Sequence, residues 1–156
     1  MMTNLQIQQH ALMDRIEVDW KNGKSSVTVV EPTQDYASET RRCLTTVTFL
    51  PDGLIPAVFS KLIHPLRAVD PEQYYFSPDT LHVTIKNIRT VSDPPDFTPQ
   101  DVERVRDAFV QVVPPLPAFQ VHLGRLIELP TSVGIRVTTG ESFIAVVRAL
   151  DTALQE

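Results

Sequence analysis

Proline divides this chain into short segments. Thirteen prolines stand against five glycines, and a proline lacks the amide N–H and fixes φ, so it cannot continue a regular helix interior or a paired central strand. The apolar periodicity changes at these residues. Pro51 closes a β-branched run, Pro65 lies in a helical pattern, Pro94 and Pro95 sit in a polar stretch, Pro99 opens a second helical pattern, and Pro114, Pro115 and Pro130 separate the runs that follow. With so few glycines the connections are stiff, and a fold of many short elements is expected.

Between the prolines, residues 44–50 (Leu-Thr-Thr-Val-Thr-Phe-Leu) read as a strand closed by Pro51-Asp52-Gly53. Leu54, Val58 and Leu62 give the next segment a helical stripe that Pro65 is expected to end or kink, so a helix is placed over 54–64. Residues 81–88 alternate, with Leu81, Val83 and Ile85 on one face and His82, Thr84 and Lys86 on the other. Thr98-Pro99-Gln100-Asp101 supplies an N-cap, a proline at the first helical position and an early acid for a helix over 99–112 that turns Val102, Val105, Phe109 and Val112 inward. Strands over 119–129 and 133–138 follow, then a helix over 141–155 with Phe143, Val147, Leu150 and Leu154 as its stripe.

The N-terminus reads two ways. Leu5, Gln9, Leu12, Ile16 and Trp20 fall at helical spacing, whereas Ile16, Val18 and Trp20 alternate ahead of an Asn22-Gly23 hairpin turn. A helix over 4–20 and a strand over 25–30 are the expectation. Residues 1–40 are thus an N-terminal helix and strand extension, and 41–156 a single domain. The element order implies an α+β fold with helices packed on one face of a sheet. The pairing of strand 44–50 with helix 54–64 is echoed by strands 119–138 with helix 141–155, and that echo implies one further strand.

Hydrophobic residues at 42% and charged residues at 21% match ordinary globular usage, which argues against a disordered or fibrous chain. A formal charge of −5 supplies no general attraction to nucleic acid, so a polyanionic ligand needs a local cluster of donors. No run approaches the ~20 apolar residues of a membrane span, and the first residues lack a basic start and apolar run, so a cytoplasmic location is expected. The single Cys43 has no internal disulfide partner and reads as a buried structural thiol beside a strand. No paired His/Cys spacing, His-Glu-x-x-His or acidic loop signals a metal, and no cofactor is expected.

The chemistry-bearing run is Ser77-Pro78-Asp79-Thr80-Leu81-His82-Val83-Thr84-Ile85-Lys86. An imidazole and a hydroxyl two residues apart on a strand point the same way and can converge on one phosphate group, the first moving protons and the second donating a hydrogen bond. Alone, His-x-Thr is a common triplet. A helix, an aromatic-bearing polar connection with Pro-Asp, and then Leu-His-Val-Thr-Ile on an alternating strand is similar to the first signature of the two-histidine (2H) phosphoesterase superfamily. That superfamily includes the bacterial RNA 2′,3′-cyclic phosphodiesterases once described as 2′-5′ RNA ligases. The resemblance spans residues 43–156.

This resemblance implies a two-lobed sheet and metal-independent hydrolysis of a 2′,3′-cyclic phosphate on RNA or a nucleotide, with His82 and Thr84 catalytic. It also implies a second His-x-Thr or His-x-Ser, which does not occur. His10, His64 and His122 do not match it, and Ile135-Arg136-Val137-Thr138 would fit only with Arg136 in place of histidine. By the internal echo the second motif belongs 15–25 residues past the last helix, and the second lobe is expected to be incomplete, with a homodimer as one way of completing the sheet. An inactive nucleotide- or RNA-binding module of the same fold is the alternative.

Lys86, on the face of His82, is a candidate for neutralising phosphate, or a solvated strand lysine. Arg41 and Arg42 are a candidate phosphate clamp, or surface arginines. Tyr75, with Tyr74 and Phe76, is a candidate base-stacking surface. His122 would line the site if its strand joined the same sheet, and is otherwise an exposed strand histidine. The expected partner is an RNA end or small nucleotide, with neither membrane nor metal.

Overall fold

The structure, a computed structural model, describes residues 4–24 and 38–155. Helix α1 (Asn4–Lys21) is followed by strand β1 (Arg42–Phe49), helix α2 (Ile55–Val58), a π-helical turn (Phe59–Ile63), helix α3 (His64–Val69), strand β2 (His82–Ser92), helix α4 (Pro99–Val112), strands β3 (Val121–Leu129) and β4 (Ser132–Thr139), and helix α5 (Glu141–Gln155). From β1 onward this is the strand and helix order expected from periodicity, and the fold is mixed α+β. The N-terminal segment is helical rather than a hairpin. The strand expected over 25–30 lies outside the described residues.

The chain forms two compact units, Glu31–Asp107 and Met1–Val30 with Ala108–Glu156. Among the described residues the strands make two separate antiparallel pairs, β1 with β2 and β3 with β4. Among those residues β2, which carries His82, pairs with β1 alone.

In the unit Glu31–Asp107, Phe49 pairs with His82, Thr48 with Val83 and Val47 with Thr84, after which the register shifts and Thr46 pairs with Lys86. The residue left over on β2 is Ile85, so the strand bulges there. Ile85 is buried, as are Thr46, Val58 and Val105. Pro65, expected to end or kink its helix, does not end it, because α3 continues to Val69. The His64 N–H bonds to the Phe59 carbonyl five residues back, so the helix is already widened where the chain reaches Pro65. The missing N–H and bulky ring therefore meet a loosened turn rather than a regular one.

Helix α4 begins where its cap signal put it. The Thr98 N–H and hydroxyl both donate to Asp101 Oδ2 at 2.8 Å, and the Asp101 N–H returns to Thr98 Oγ1 at 3.3 Å. This reciprocal pairing satisfies otherwise orphaned donors of the first turn. Thr98→Ala is expected to destabilise the fold by about 1 kcal/mol, seen as a drop in Tm of roughly 2–4 °C; no change would show the cap to be dispensable. Val102, expected inward, is 38% exposed, and Val105 at 5% carries the buried face. Cys43, expected buried, is exposed. It falls in the register shift between Arg42 and Leu44, where the ladder gives it no opposing residue.

In the other unit β3 and β4 form a hairpin, with Leu129 opposite Ser132 and a register shift between Leu123 and Leu126. Glycine is favoured at this shift, since a Cβ on Gly124 would lie 3.1 Å from the Arg136 carbonyl oxygen, closer than ordinary contact. Ile127 on β3 and Ile144, Val146 and Leu150 on α5 are the buried residues, and Phe119 meets Phe143 edge to face at 5.2 Å. Helix α1 is tied to this hairpin by charge. Arg136 donates to Asp14 Oδ1 at 2.7 Å and to His10 Nδ1 at 2.9 Å, while Glu17 pairs with Arg125 and, at 3.1 Å, with Lys21. Because guanidinium only donates, His10 Nδ1 must be unprotonated in this arrangement. Among the described residues no helix is long and apolar enough to cross a membrane.

Candidate active site

A 3₁₀ turn, Pro78–Thr80, delivers the chain into β2. Thr80 Oγ1 bonds back to the Ser77 carbonyl at 2.9 Å, and the Ser77 hydroxyl lies 3.1 Å from Thr80 Oγ1. Leu81 then adopts an extended conformation and its carbonyl accepts from the Leu50 N–H at 3.0 Å. The strand face is thereby fixed one residue before His82. His82 and Thr84 are exposed, Val83 is half-buried and Ile85 is buried, so the imidazole and hydroxyl share the open face. Two residues of strand separate them by roughly 6.6 Å.

The His82 ring is oriented by its own turn. Nδ1 lies 2.7 Å from the Thr80 carbonyl oxygen, which can only accept, so Nδ1 carries the proton and the neutral ring presents its lone pair at Nε2. Two phenylalanines frame the imidazole edge to face, Phe49 across the ladder at 6.4 Å and Phe76 from the preceding loop at 6.1 Å. A proton-transfer nitrogen with a fixed tautomer and a hydroxyl one step along the strand can together address adjacent oxygens of one phosphate.

Lys86 and Arg42 are not gathered here. Lys86 was expected on the face of His82, but the bulge at Ile85 sets it opposite Thr46, whereas Thr84 stands opposite Val47. Since Thr46 and Val47 are consecutive in β1, Lys86 shares the inward face and is only half-exposed. Arg42 pairs with Ser92, at the opposite end of the ladder from His82, about 23 Å away along the strand at ~3.3 Å per residue. Its guanidinium bonds to the Glu39 and Arg41 carbonyls. Arg41 grips Glu39, its N–H and Nε donating to Oε1 at 2.9 and 3.0 Å.

Tyr75 is engaged elsewhere as well. Its hydroxyl donates to the Asp70 carbonyl at 2.8 Å and Arg67 lies over its ring at 5.1 Å. Of the aromatic trio it is Phe76 that reaches His82. His122 is exposed on β3, opposite Thr138, so the condition that its strand join the His82 sheet is not met. His64 meets Phe59 edge to face at 5.7 Å. The sequence reading missed Phe49, because its place beside His82 depends on a register that no local pattern specifies. Among the described residues, no group of three His, Cys, Asp or Glu is arranged to hold a metal ion.

Among the described residues, four carboxyls are held below their ordinary range. The Arg41 hydrogen bonds bring Glu39 down to about 2. The Lys21 hydrogen bond, followed by the charges of Arg125, Lys21 and Arg136, lowers Glu17. The Ser77 hydroxyl lowers Asp79, and the Thr98 backbone and side chain lower Asp101. Each binds its proton more readily when unfolded, so its stabilisation is complete above the ordinary values of 4.5 for Glu and 3.8 for Asp and is lost as pH falls through the folded values. Tm is therefore expected to be flat above about pH 5 and to fall steadily below about pH 4.5. A Tm unchanged down to about pH 3 would contradict these pairings.

Compared with protein-family models, with curated proteins and with solved structures, the chain matches none.

Proposed function

We propose that the protein is a cytoplasmic phosphodiester hydrolase that opens a 2′,3′-cyclic phosphate on RNA or a nucleotide by side-chain acid–base chemistry, as its resemblance to two-histidine phosphoesterases implies. The observation that carries this reading is the shared open face of His82 and Thr84, with His82 Nδ1 held by the Thr80 carbonyl. His82 Nε2 either takes a proton from the attacking water, as the neutral ring, or gives one to the departing ribose oxygen, as the imidazolium. Thr84 Oγ1 donates to a non-bridging oxygen as charge shifts onto it.

Ring opening is an in-line displacement, so the attacking and leaving oxygens lie on opposite sides of phosphorus and one imidazole cannot touch both at once. The family pattern gives the second transfer to a second histidine motif, which this sequence lacks. The second reading is a binding module of the same fold that holds a nucleotide or RNA end without turning it over. Phosphorus NMR of the protein with adenosine 2′,3′-cyclic phosphate separates the two. Conversion of the cyclic resonance to a monoester establishes hydrolysis. Perturbation of the cyclic resonance without conversion establishes binding alone, and neither effect would remove both readings.

A further inference from the structure

Helix α1 presents a charged side to its own unit and an apolar seam to water. His10, Asp14 and Glu17 meet Arg136 and Arg125 of the β3–β4 hairpin, and none of the described α1 side chains is buried. Leu12, Ile16 and Trp20 recur every four residues, so they follow one side of the helix. Leu12 is 56% exposed and Trp20 52%, with Ile16 half-buried between them. Ile16 and Trp20 also line a cleft against Leu126 and Ile127. Apolar residues scattered singly over a surface need no explanation, but a leucine, an isoleucine and a tryptophan in line make a stripe that packs against another helix.

The charges beside the seam decide what covers it. Over Asn4–Lys21 the helix carries Arg15 and Lys21 against Asp14, Glu17 and Asp19. Helices that lie in membrane surfaces are rich in lysine and arginine, and an excess of acid does not suit an anionic bilayer. Arg15 and Asp19 stand on one flank of the seam, opposite in sign and one turn apart, with 81% and 43% of their side chains exposed. At 3.8 Å they make only a loose pair with each other. A second α1 laid antiparallel about a two-fold axis at Ile16 sets Leu12 against Trp20 of the second copy at both ends of the seam. The same operation brings each Arg15 level with Asp19 of the other copy to within about 3 Å along the helix axis, at a rise of about 1.5 Å per residue. On the other flank Glu17 is neutralised within its own unit by Arg125 and Lys21, so its charge does not oppose the pairing. We propose that this face of α1 is a self-association surface, on which Leu12, Ile16 and Trp20 of two copies of the chain pack antiparallel. The surface is a helix face rather than a sheet edge, and it owes nothing to the nucleotide reading of His82.

Sedimentation equilibrium of the full chain from about 1 µM to about 1 mM tests this. The mass is expected to rise with concentration from the monomer's 17.5 kDa toward twice that value. Trp20 is the only tryptophan, so its emission is expected to move to the blue with the same midpoint, as the indole leaves water. Leu12→Asp is expected to weaken association by at least about tenfold, with Tm at the dilute end unchanged because the side chain is exposed. Arg15→Asp is expected to weaken it by about fivefold, and adding Asp19→Arg to that variant to restore it. A mass that stays monomeric throughout overturns the proposal. So does a dimer whose Trp20 emission does not move or that ignores Leu12→Asp, since its interface lies elsewhere. Vesicles of phosphatidylcholine and phosphatidylserine that shift Trp20 while the protein in solution stays monomeric would make the seam a membrane surface instead.

Discussion

His82→Ala is expected to reduce cyclic phosphodiesterase turnover by about 10²–10⁴-fold, the usual contribution of one positioned proton-transfer group, while leaving thermal unfolding nearly unchanged. The two halves of this expectation have separate causes. The imidazole faces solvent at the start of β2, and its polar bond is to the Thr80 carbonyl two residues away, so truncation opens no cavity and strands no buried donor. The same bond leaves Nε2 as the ring nitrogen available for proton transfer, and truncation removes it. Turnover of His82→Ala equal to wild type would place the chemistry elsewhere. A large drop in Tm alongside lost turnover would make His82 structural.

The largest effect on stability is expected at Leu150. It is fully buried, at 0% exposure, and stands one turn from Val146 at 2% on the same face of α5. Leu150→Ala removes three carbons from this site, and the surrounding side chains collapse only partly into the space, so a loss of about 2–5 kcal/mol is expected. That is a large fraction of the ~5–15 kcal/mol that holds an ordinary domain folded, and Tm should fall by about 10 °C. Chemical denaturation should show a lower midpoint with an unchanged slope. A loss below about 1 kcal/mol would mean that this face of α5 is not a packed core.

What was legible in the sequence was whatever one element specifies by itself. Pro99 and the Thr98 to Asp101 pairing marked the start of α4, because a helix terminus is satisfied by residues three apart. The alternation of residues 81–85 placed His82 and Thr84 outward, because one strand face is buried and a one-residue slip would bury the imidazole. What was not legible depended on partners distant in sequence. Ile85 and Lys86 continue the alternating pattern on paper, and only pairing with β1 reveals the bulge that turns Lys86 inward. Arg42 stands next to a strand that leads to the site, but the antiparallel register carries it to the far end. Pro65 has the standard meaning of a helix stop, and the π turn before it annuls that meaning. Phe49 read as one more apolar strand residue until the ladder set it against His82.

The most direct test of the His82 assignment is nitrogen-detected NMR of the imidazoles, of which the chain has four, during titration with adenosine 2′,3′-cyclic phosphate. In the free protein the neutral form of His82 is expected to be the tautomer protonated at Nδ1, and its Nε2 resonance is expected to shift first and furthest as ligand is added. A shift centred on His10, His64 or His122 with His82 unmoved, or a His82 protonated at Nε2 in the free protein, would contradict it.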